Sequence, residues 1–415
     1  MVNQKKGIFY GWKIVNSLFW MNAILMGSVF IFGVFFKSLE TEFNMSRTTT
    51  SLIVSVYMIA MAGVAILAGW ALDHYGPKRI VLIMAFLNGL GLLLTSRVFA
   101  TWQFFISYSL LLALGSGATY VVSMPLILRW FEQKRGLASG ITMAGTGIGQ
   151  VILAPLTTFF IVNFGWRAGF IALAMISWLT IIPLAFVLKS DPSEIGLLPD
   201  GRHSDSVVKP STQKVIAPPA SFSVISVFKT SSFWFIIVLN FLMGVCVMMV
   251  STHVVPHITD IGFSAVQAAA VISIMGIMAI VGNFFGGLIT DRVGAKWTVI
   301  VTAMVMAIVM AWLAHINSLW QVYLFAVIFG LAKGGIVPSA GILYGQAFKV
   351  THIGKIMGMI FSSWAIGAAI GPFIGGALFD LKGNYTLAFW VSAIAMVIAA
   401  LMAILVKRYP QENAP

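Results

Sequence analysis

The chain contains twelve long apolar runs, and these constrain its fold more than any other feature of the sequence. Each holds roughly 20 residues or more, the length that an α-helix needs to cross a bilayer. Inside a membrane, only helices and closed β-barrels satisfy their own backbone hydrogen bonds. The runs are too long and continuous for barrel strands, so they predict twelve membrane-spanning helices. They cover residues 11–36, 48–72, 79–98, 102–128, 137–162, 168–188, 231–255, 264–290, 297–315, 319–347, 355–379 and 385–406.

Composition excludes a soluble protein and argues against most other classes. The chain is 60% hydrophobic and only 9% charged, whereas soluble domains are roughly 25% charged. The formal charge of +13 suits loops on the cytoplasmic side of a membrane better than a nucleic-acid surface. The single cysteine, Cys246, lies in an apolar run and offers neither a disulfide nor a metal set. We expect no cofactor and no nucleic-acid partner.

The distribution of lysine and arginine predicts the orientation of the chain. With the N-terminus inside, 19 of the 25 cations fall on the inner side, five on the outer side, and Lys333 within a span. This asymmetry predicts two cytoplasmic termini in a cell inner or plasma membrane. The first run lacks a small-residue cleavage pattern and is interpreted as a retained span. A polar stretch, 190–221, separates the spans into two groups of six. We therefore expect an N-terminal bundle over 1–189, a cytoplasmic linker over 190–226 and a C-terminal bundle over 227–415.

One cation, Lys333, lies near the centre of the tenth apolar run. A charge at that depth costs roughly 2.5–3.5 kcal/mol on insertion scales, and such residues mark functional sites. Its side chain is too short to reach an interface from there. All 12 acidic residues fall in loops or at interfaces, so no carboxylate is predicted beside it. The lysine is therefore neutral, solvated by a cavity, or paired with a group that is not part of the protein.

The two halves of the sequence repeat each other at an offset of 218 residues. The segment 69–79 (GWALDHYGPKR) follows span two, and the segment 287–296 (GLITDRVGAK) follows span eight. The same offset relates three further glycines, at 136, 140 and 149, to those at 354, 358 and 367. Parallel six-span repeats place a substrate site at mid-membrane along their interface. The motif residues, which we assign to gating and helix packing, are Gly69, Asp73, Gly76, Lys78, Arg79, Gly287, Asp291, Arg292, Gly294 and Lys296.

These loops resemble the signature of the major facilitator superfamily, and the resemblance extends from the first span to the twelfth. It implies an all-α membrane fold of twelve transmembrane helices in two pseudo-symmetric six-helix bundles. The segment 130–149 (WFEQKRGLASGITMAGTGIG) is similar to the span-five signature of the monocarboxylate porter family. It also resembles the oxalate:formate exchanger branch. Supporting pieces are Tyr10-Gly11-Trp12, Pro199-Asp200-Gly201 and Gly165-Trp166-Arg167.

The resemblance indicates where the substrate should bind, and this chain departs from the family there. The family's span-eight arginine, which meets the substrate carboxylate, matches Asn283, and the exchanger branch's span-eleven lysine matches Trp364. We infer that the cationic role has moved to Lys333 on span ten. Tyr120 matches a cavity tyrosine of the family, and its hydroxyl can donate to a carboxylate. A positive cavity without a negative charge selects anions.

Further polar residues inside the spans have two interpretations. Gln150 and Asn22 are candidate substrate ligands, although buried polar groups in membrane helices often only bond neighbouring helices. His253, near the end of span seven, is a candidate for proton coupling, as is Lys333 itself. The preferred interpretation is that His253 and His257 form an interfacial pair that faces water. Span eight lacks the acidic residue that proton-coupled members of the family carry. The mode of transport therefore stays open between symport, exchange and uniport.

The sequence therefore predicts a secondary transporter for a small organic anion, with a lactate- or pyruvate-like monocarboxylate as the first choice. It works by alternating access, as a monomer, with the proton as a candidate coupling ion. Alternatives are a dicarboxylate or formate-type exchanger, an efflux transporter for a neutral solute, and a non-transporting metabolite receptor. No nucleophile–base pair or metal cluster is visible in the spans, so we expect neither catalysis nor a metal site.

Overall fold

The structure is a computed structural model that describes residues 9–132, 134–201, 227–348 and 353–407. These residues contain no strand and include twelve helices long and apolar enough to cross a membrane. The prediction of twelve spanning helices is confirmed. The helices are α1 (Tyr10–Phe43), α2 (Arg47–Ala65), α3 (His74–Thr95), α4 (Thr101–Trp130), α5 (Gly136–Phe164), α6 (Trp166–Ala185), α7 (Ser231–Asp260), α8 (Ala265–Val293), α9 (Ala295–Leu313), α10 (Leu319–Ala347), α11 (Gly358–Lys382) and α12 (Thr386–Leu405).

The same local signals start and end equivalent helices in the two halves. Ser46 caps α2 by accepting from the Thr49 N–H, and Ser264 caps α8 by accepting from the Gln267 N–H. The chain turns at Gly76, in the first residues of α3, with φ 73°, and at Gly294, between α8 and α9, with φ 96°. Glycine suits both turns because it adopts positive φ without a steric penalty. Each pair is related by the 218-residue offset, so the repeat is a repeat of local structure.

Equivalent helix pairs also make equivalent close contacts. α5 packs against α1 at Gly149, where a Cβ would overlap the carbonyl oxygen of Ala23. α11 packs against α7 at Gly367, where a Cβ would overlap the carbonyl oxygen of Phe241. Small residues allow helix backbones in a membrane to approach this closely. The chain thus forms two pseudo-symmetric six-helix bundles.

Two helices depart from regular geometry. α1 consists of the helices Tyr10–Phe30 and Phe32–Phe43, with Ile31 between them outside helical geometry. α4 contains the π-helical stretch Phe105–Leu111. Such interruptions locally redirect the helix axis and the side chains beside it. The interruption in α1 lies directly after Phe30, whose ring belongs to the site described below.

The first part of the linker lies against the N-terminal bundle. It forms two short 3-10 turns, Pro192–Ile195 and Pro199–Gly201, and Asp200 accepts a hydrogen bond of 2.9 Å from the Glu132 N–H. Residues 202–226 lie outside the described residues. The boundaries 1–189, 190–226 and 227–415 therefore stay a prediction.

Candidate functional site

Lys333 lies midway along α10 and points its charge at the opposite bundle. Its Nζ is buried and has no hydrogen-bond partner among the described residues. The Nζ lies 4.5 Å from the ring centroid of Phe30 in α1, within reach of a cation–π interaction. No described carboxylate lies within 4.0 Å of it. The contact that the structure gives this cation is therefore with an aromatic ring.

Asn283 lies at the level of Lys333 because glycines bring α8 and α10 together. A Cβ on Gly334 would meet the Ala279 carbonyl and the Asn283 nitrogen, and a Cβ on Gly282 would meet the Leu331 carbonyl. The two backbones are therefore in direct contact on either side of the lysine. Asn283 is half-buried, and its backbone lies against the residue that follows Lys333.

Tyr120 and Trp364 form a second group, on α4 and α11. Phe361 joins them: its ring centroid is 5.9 Å from that of Tyr120 and 5.7 Å from that of Trp364, onto which it stacks. Tyr120 belongs to one bundle and the other two residues to the other. Aromatic faces of this kind suit the apolar body of a small ligand, and a phenol adds one hydrogen-bond donor.

Asn22 and Gln150 are engaged in helix contacts. Asn22 is fully buried and donates to the Leu18 carbonyl and to Ser123 of α4, at 2.8 and 3.2 Å. Its equivalent at an offset of 218, Asn240, donates in the same way to the Ile236 carbonyl. This shared pattern indicates a structural function for the Asn22 amide nitrogen, while its buried Oδ1 has no partner among the described residues.

Gln150 lies where α5 crosses α8. A Cβ on Gly276 would meet the Gln150 Cβ, and the Gln150 amide lies 3.4 Å from the Thr146 carbonyl. The amide is therefore held at the contact between the bundles. Its position there comes from the close approach of the two helices.

The membrane face opposite the chain ends, here called the distal face, is closed by Arg47 at the start of α2. Arg47 donates to Asp260 of α7 from Nη1 and Nη2, at 2.5 and 3.0 Å, and to the Tyr385 hydroxyl at 2.8 Å. Its Nε donates to Glu40, at 3.0 Å, within its own bundle. Asp380 of α11 accepts from the Arg47 backbone N–H, so it caps the N-terminus of α2.

His253 belongs to this closure, so the expectation that it faces water is wrong for this residue. His253 is fully buried. Its Nε2 lies 2.9 Å from the Pro372 carbonyl, which can only accept, so Nε2 carries a proton. Its Nδ1 lies 3.1 Å from the Tyr385 hydroxyl, and Nε2 also lies 3.3 Å from Ser51 of α2. The ring links the two bundles because the distal ends of α2, α7 and α11 converge on it.

The opposite membrane face, which carries residues 9 and 407, is called the terminal face. Several glycines within the helices are packed differently near the two faces. On the distal side, a Cβ on Gly33 would meet the Ser251 and Thr252 carbonyls across the interface. Near the terminal face, a Cβ would meet nothing within 4 Å at several glycines of α5, α8, α10 and α11. These are Gly136, Gly140, Gly287, Gly341, Gly345 and Gly358. The helices make no close contact at these glycines, so the terminal face is the candidate entrance to the site.

The repeated loop motif lies at the terminal face and fastens the last helix of each half. Lys78 places its Nζ 4.5 Å from the Phe186 ring centroid, just after α6. Lys296 donates to the Ile404 and Val406 carbonyls at the end of α12, at 2.5 and 3.0 Å. Arg79, Asp291 and Arg292 are exposed, and the side chains of residues 69 and 73 lie outside the described ones. The gating assignment of the motif stays a prediction.

Sequence reasoning missed Phe30, Phe361 and the distal closure. The rings carry no signal in a chain this rich in phenylalanine. Arg47 carries such a signal, because a cation at a helix N-terminus faces the positive end of the helix dipole and needs carboxylates from elsewhere in the chain. Asp260 and Asp380, which the same topology places on the distal face, were the available partners.

Two six-helix bundles around a buried central cation, joined by ion pairs on one membrane face, are the arrangement of a membrane transporter. The family model of the Major Facilitator Superfamily matches residues 18–287 and 255–415, and the chain belongs to this superfamily. Similar proteins include monocarboxylate transporter 12 of Xenopus laevis, 24% identical over 96% of this chain and 89% of that protein. Monocarboxylate transporter 13 of Rattus norvegicus is 25% identical over 92% and 86%. The inward open conformation of the xylose transporter XylE from E. coli has a TM-score of 0.75 at 16% identity, covering 97% of this chain and 98% of that one.

Proposed function

We propose that the chain transports a small organic anion, with a monocarboxylate as the first choice, and that Lys333 binds its carboxylate. The observation behind the proposal is the buried Nζ of Lys333, which lacks a hydrogen-bonding partner among the described residues. A buried ammonium without an anion is costly, and a substrate carboxylate would compensate it at the moment of binding. Lys333 lies midway through the membrane between the bundles, where alternating access requires a site.

Neighbouring residues suit the rest of such a substrate. Asn283, level with Lys333, can donate to the second carboxylate oxygen or to a hydroxyl beside it. Tyr120 and Trp364, linked through Phe361, would enclose a short apolar body on the other side. Gln150 and Asn22 are further candidate ligands. The relatives named monocarboxylate transporters support this substrate class, although identities near 25% do not carry over a particular acid.

Proton coupling has two candidate groups. If the anion binds the ammonium form of Lys333 and not the amine, each anion bound requires a proton on this lysine, which makes symport the consequence. His253 contacts the distal closure and would couple a proton to gating. Exchange of one anion for another is the alternative, because the described spans offer no acid beside Lys333.

The orientation proposed from the cation count makes the terminal face cytoplasmic, so a state with its distal face closed would be inward-facing. We propose the cell inner or plasma membrane as the location and a monomer as the working unit, because each chain holds two complete bundles.

The test is uptake into proteoliposomes of labelled lactate, pyruvate, acetate, formate and oxalate, with and without a pH gradient. Lactamide, which has the shape of lactate without the charge, distinguishes anion from neutral transport. We compare wild type with Lys333→Ala and Lys333→Arg. The control is Lys382→Ala, which removes an exposed lysine at the end of α11. We expect at least a tenfold loss of kcat/KM for the acid in Lys333→Ala, partial retention in Lys333→Arg and no change in the control.

Two results would overturn the proposal. Equal uptake of an acid by wild type and Lys333→Ala would remove the lysine from the binding site. Uptake of lactamide at the rate of lactate would replace an anion transporter by one for neutral solutes. Dependence on the pH gradient, lost in Lys333→Ala, would identify symport, and stimulation by an anion on the opposite side would identify exchange.

A further inference from the structure

A groove of the N-terminal bundle is lined by none of the residues assigned to the proposed transport site. It lies among α1, α5 and α6 and encloses about 590 Å³, within the roughly 300–1,000 Å³ typical of ligand pockets. Gly149 and Ile152 of α5 form part of its floor, with Trp20 of α1 and Ile176 and Thr180 of α6 on its sides. Because these three helices span the membrane, the groove faces lipid.

Polarity along the groove changes in one direction. On α1, Lys13, Asn16, Trp20 and Ala23 follow one another at spacings of three or four residues, so they share one face of the helix. The last three line the groove, and Lys13 lies one turn beyond it towards the terminal face. The order is thus ammonium, amide, indole and methyl, which is the order of a phospholipid from its phosphate through its ester region to its acyl chain.

A second cation lies at the same end of the groove. The Nζ of Lys189, which follows α6, is 5.9 Å from the ring centroid of Tyr10, and the Nζ of Lys13 is 5.5 Å from the same centroid. The two ammonium groups therefore flank one ring. Tyr10 is fixed by donating to the Val187 carbonyl at 2.9 Å, and the Lys189 carbonyl accepts from Trp130 at 3.1 Å. The backbone beneath both cations is held in place before any ligand binds.

The nearby acids bond to the backbone and not to these two lysines. Asp191 and Glu194 follow Lys189 in the chain, but they accept from the backbone N–H groups of Ser193 and Ser190, both at 2.9 Å. Hydrogen bonds from Ser193 hold the pKa of Asp191 below its usual value, so this carboxylate stays ionised, and it is directed at the Ser193 backbone. Within the described residues neither lysine forms a salt bridge. A positive pair at the end of an apolar groove in the membrane fits an anionic phospholipid of that leaflet.

We propose that this groove binds an anionic phospholipid, with its phosphate between Lys13 and Lys189 and an acyl chain between α1, α5 and α6. The site takes a lipid with net negative charge, such as phosphatidylglycerol, in preference to a zwitterionic lipid with the same acyl chains. It holds the terminal ends of α1 and α6 together on the outside of the bundle.

Native mass spectrometry of the purified protein tests the proposal. The protein is equilibrated with equal amounts of phosphatidylglycerol and phosphatidylcholine of identical acyl chains, and retained lipid is counted. Wild type is expected to retain phosphatidylglycerol preferentially. Lys13→Ala/Lys189→Ala should lower that preference about 30-fold, since each juxtamembrane cation contributes roughly fivefold. Lys382→Ala, which removes one exposed charge from the distal face, should leave it unchanged.

A second pair of variants tests the groove itself. Ile152→Trp fills the groove from an isoleucine that is 44% exposed, whereas Ile394→Trp alters a comparably exposed isoleucine of α12, 56% exposed, away from it. Only Ile152→Trp should reduce retention of phosphatidylglycerol. Equal retention of the two lipids by wild type would overturn the proposal, and so would an unchanged preference in the double lysine variant. Loss of retention in Ile394→Trp to the same extent as in Ile152→Trp would show annular lipid and no site.

Discussion

Replacing Arg47 should open the distal face, and the structure allows the size of the effect to be worked out. The side chain of Arg47 is only 6% exposed, and its contacts to Asp260, Tyr385 and the Phe379 ring, whose centroid is 3.7 Å from the guanidinium carbon, all cross between the bundles. These contacts exist while the distal face is closed. Their loss therefore destabilises the closed state relative to a state in which the distal ends separate.

Removing one partner of a buried ion pair costs roughly 3–5 kcal/mol. In the Arg47 variant Asp260 keeps a second cation, because Lys37 lies 2.8 Å from it. We therefore expect the closed state to lose about 2 kcal/mol of stability. That value shifts the equilibrium between closed and open distal faces about 30-fold. Lys37→Gln provides a matched control: it also removes a cation from Asp260, but the Lys37 side chain is 43% exposed. An exposed pair contributes about 0–1 kcal/mol, so the control should shift the equilibrium less than about fivefold.

The assay is labelling of Ser55→Cys by a membrane-impermeant maleimide in nanodiscs. Ser55 is 4% exposed, lies one turn below Ser51 on α2, and becomes reachable when the distal ends separate. Native Cys246 is fully buried and supplies the background. Arg47→Gln should raise the labelling rate of Ser55→Cys about 30-fold. A rate no higher than that of Lys37→Gln would refute the reasoning, because the buried position of Arg47 would then contribute nothing to closure.

Two further predictions concern packing and the buried histidine. Gly149→Val and Gly367→Val should each lower the free energy of unfolding by about 1–3 kcal/mol or more, because a side chain at either position overlaps a neighbouring backbone. Thermal unfolding in detergent should show lower midpoints for both variants. The control, Gly140→Val, has open space for its side chain and should unfold close to wild type. His253→Phe leaves the Pro372 carbonyl without its side-chain donor, which should destabilise the closed state by about 1–3 kcal/mol. The rate of maleimide labelling of Ser55→Cys should therefore rise at least fivefold. An unchanged rate would contradict a function of His253 in closure.

The fold could be predicted from the sequence because its signals are local or repeated. Span length follows from the apolar runs, and the two bundles follow from the 218-residue offset. The offset also extends to contacts that were not used to find it. Asn22 and Asn240 bond the carbonyls of Leu18 and Ile236, which are themselves 218 residues apart.

The site could be predicted only in part, because its partners are distant in sequence. Lys333 could be identified from the sequence because it is a charge at mid-membrane. Its neighbour Phe30 and the pairing of Arg47 with Asp260, 213 residues away, depend on how one bundle sits on the other. No pattern within a single span specifies that arrangement.

The repeat itself separates structural residues from candidate functional ones. Helix caps, close-packed glycines, the bonded asparagines and the loop lysines occur in both halves because both bundles must fold by the same contacts. The offset maps Lys333 onto Gly115, Arg47 onto Ala265 and His253 onto Phe35, so none of these three has a counterpart of like chemistry. A small anion lacks the pseudo-twofold symmetry of the bundles, and a closure needs a cation on one side and carboxylates on the other. The residues that break the repeat are therefore the ones to which we assign binding and gating.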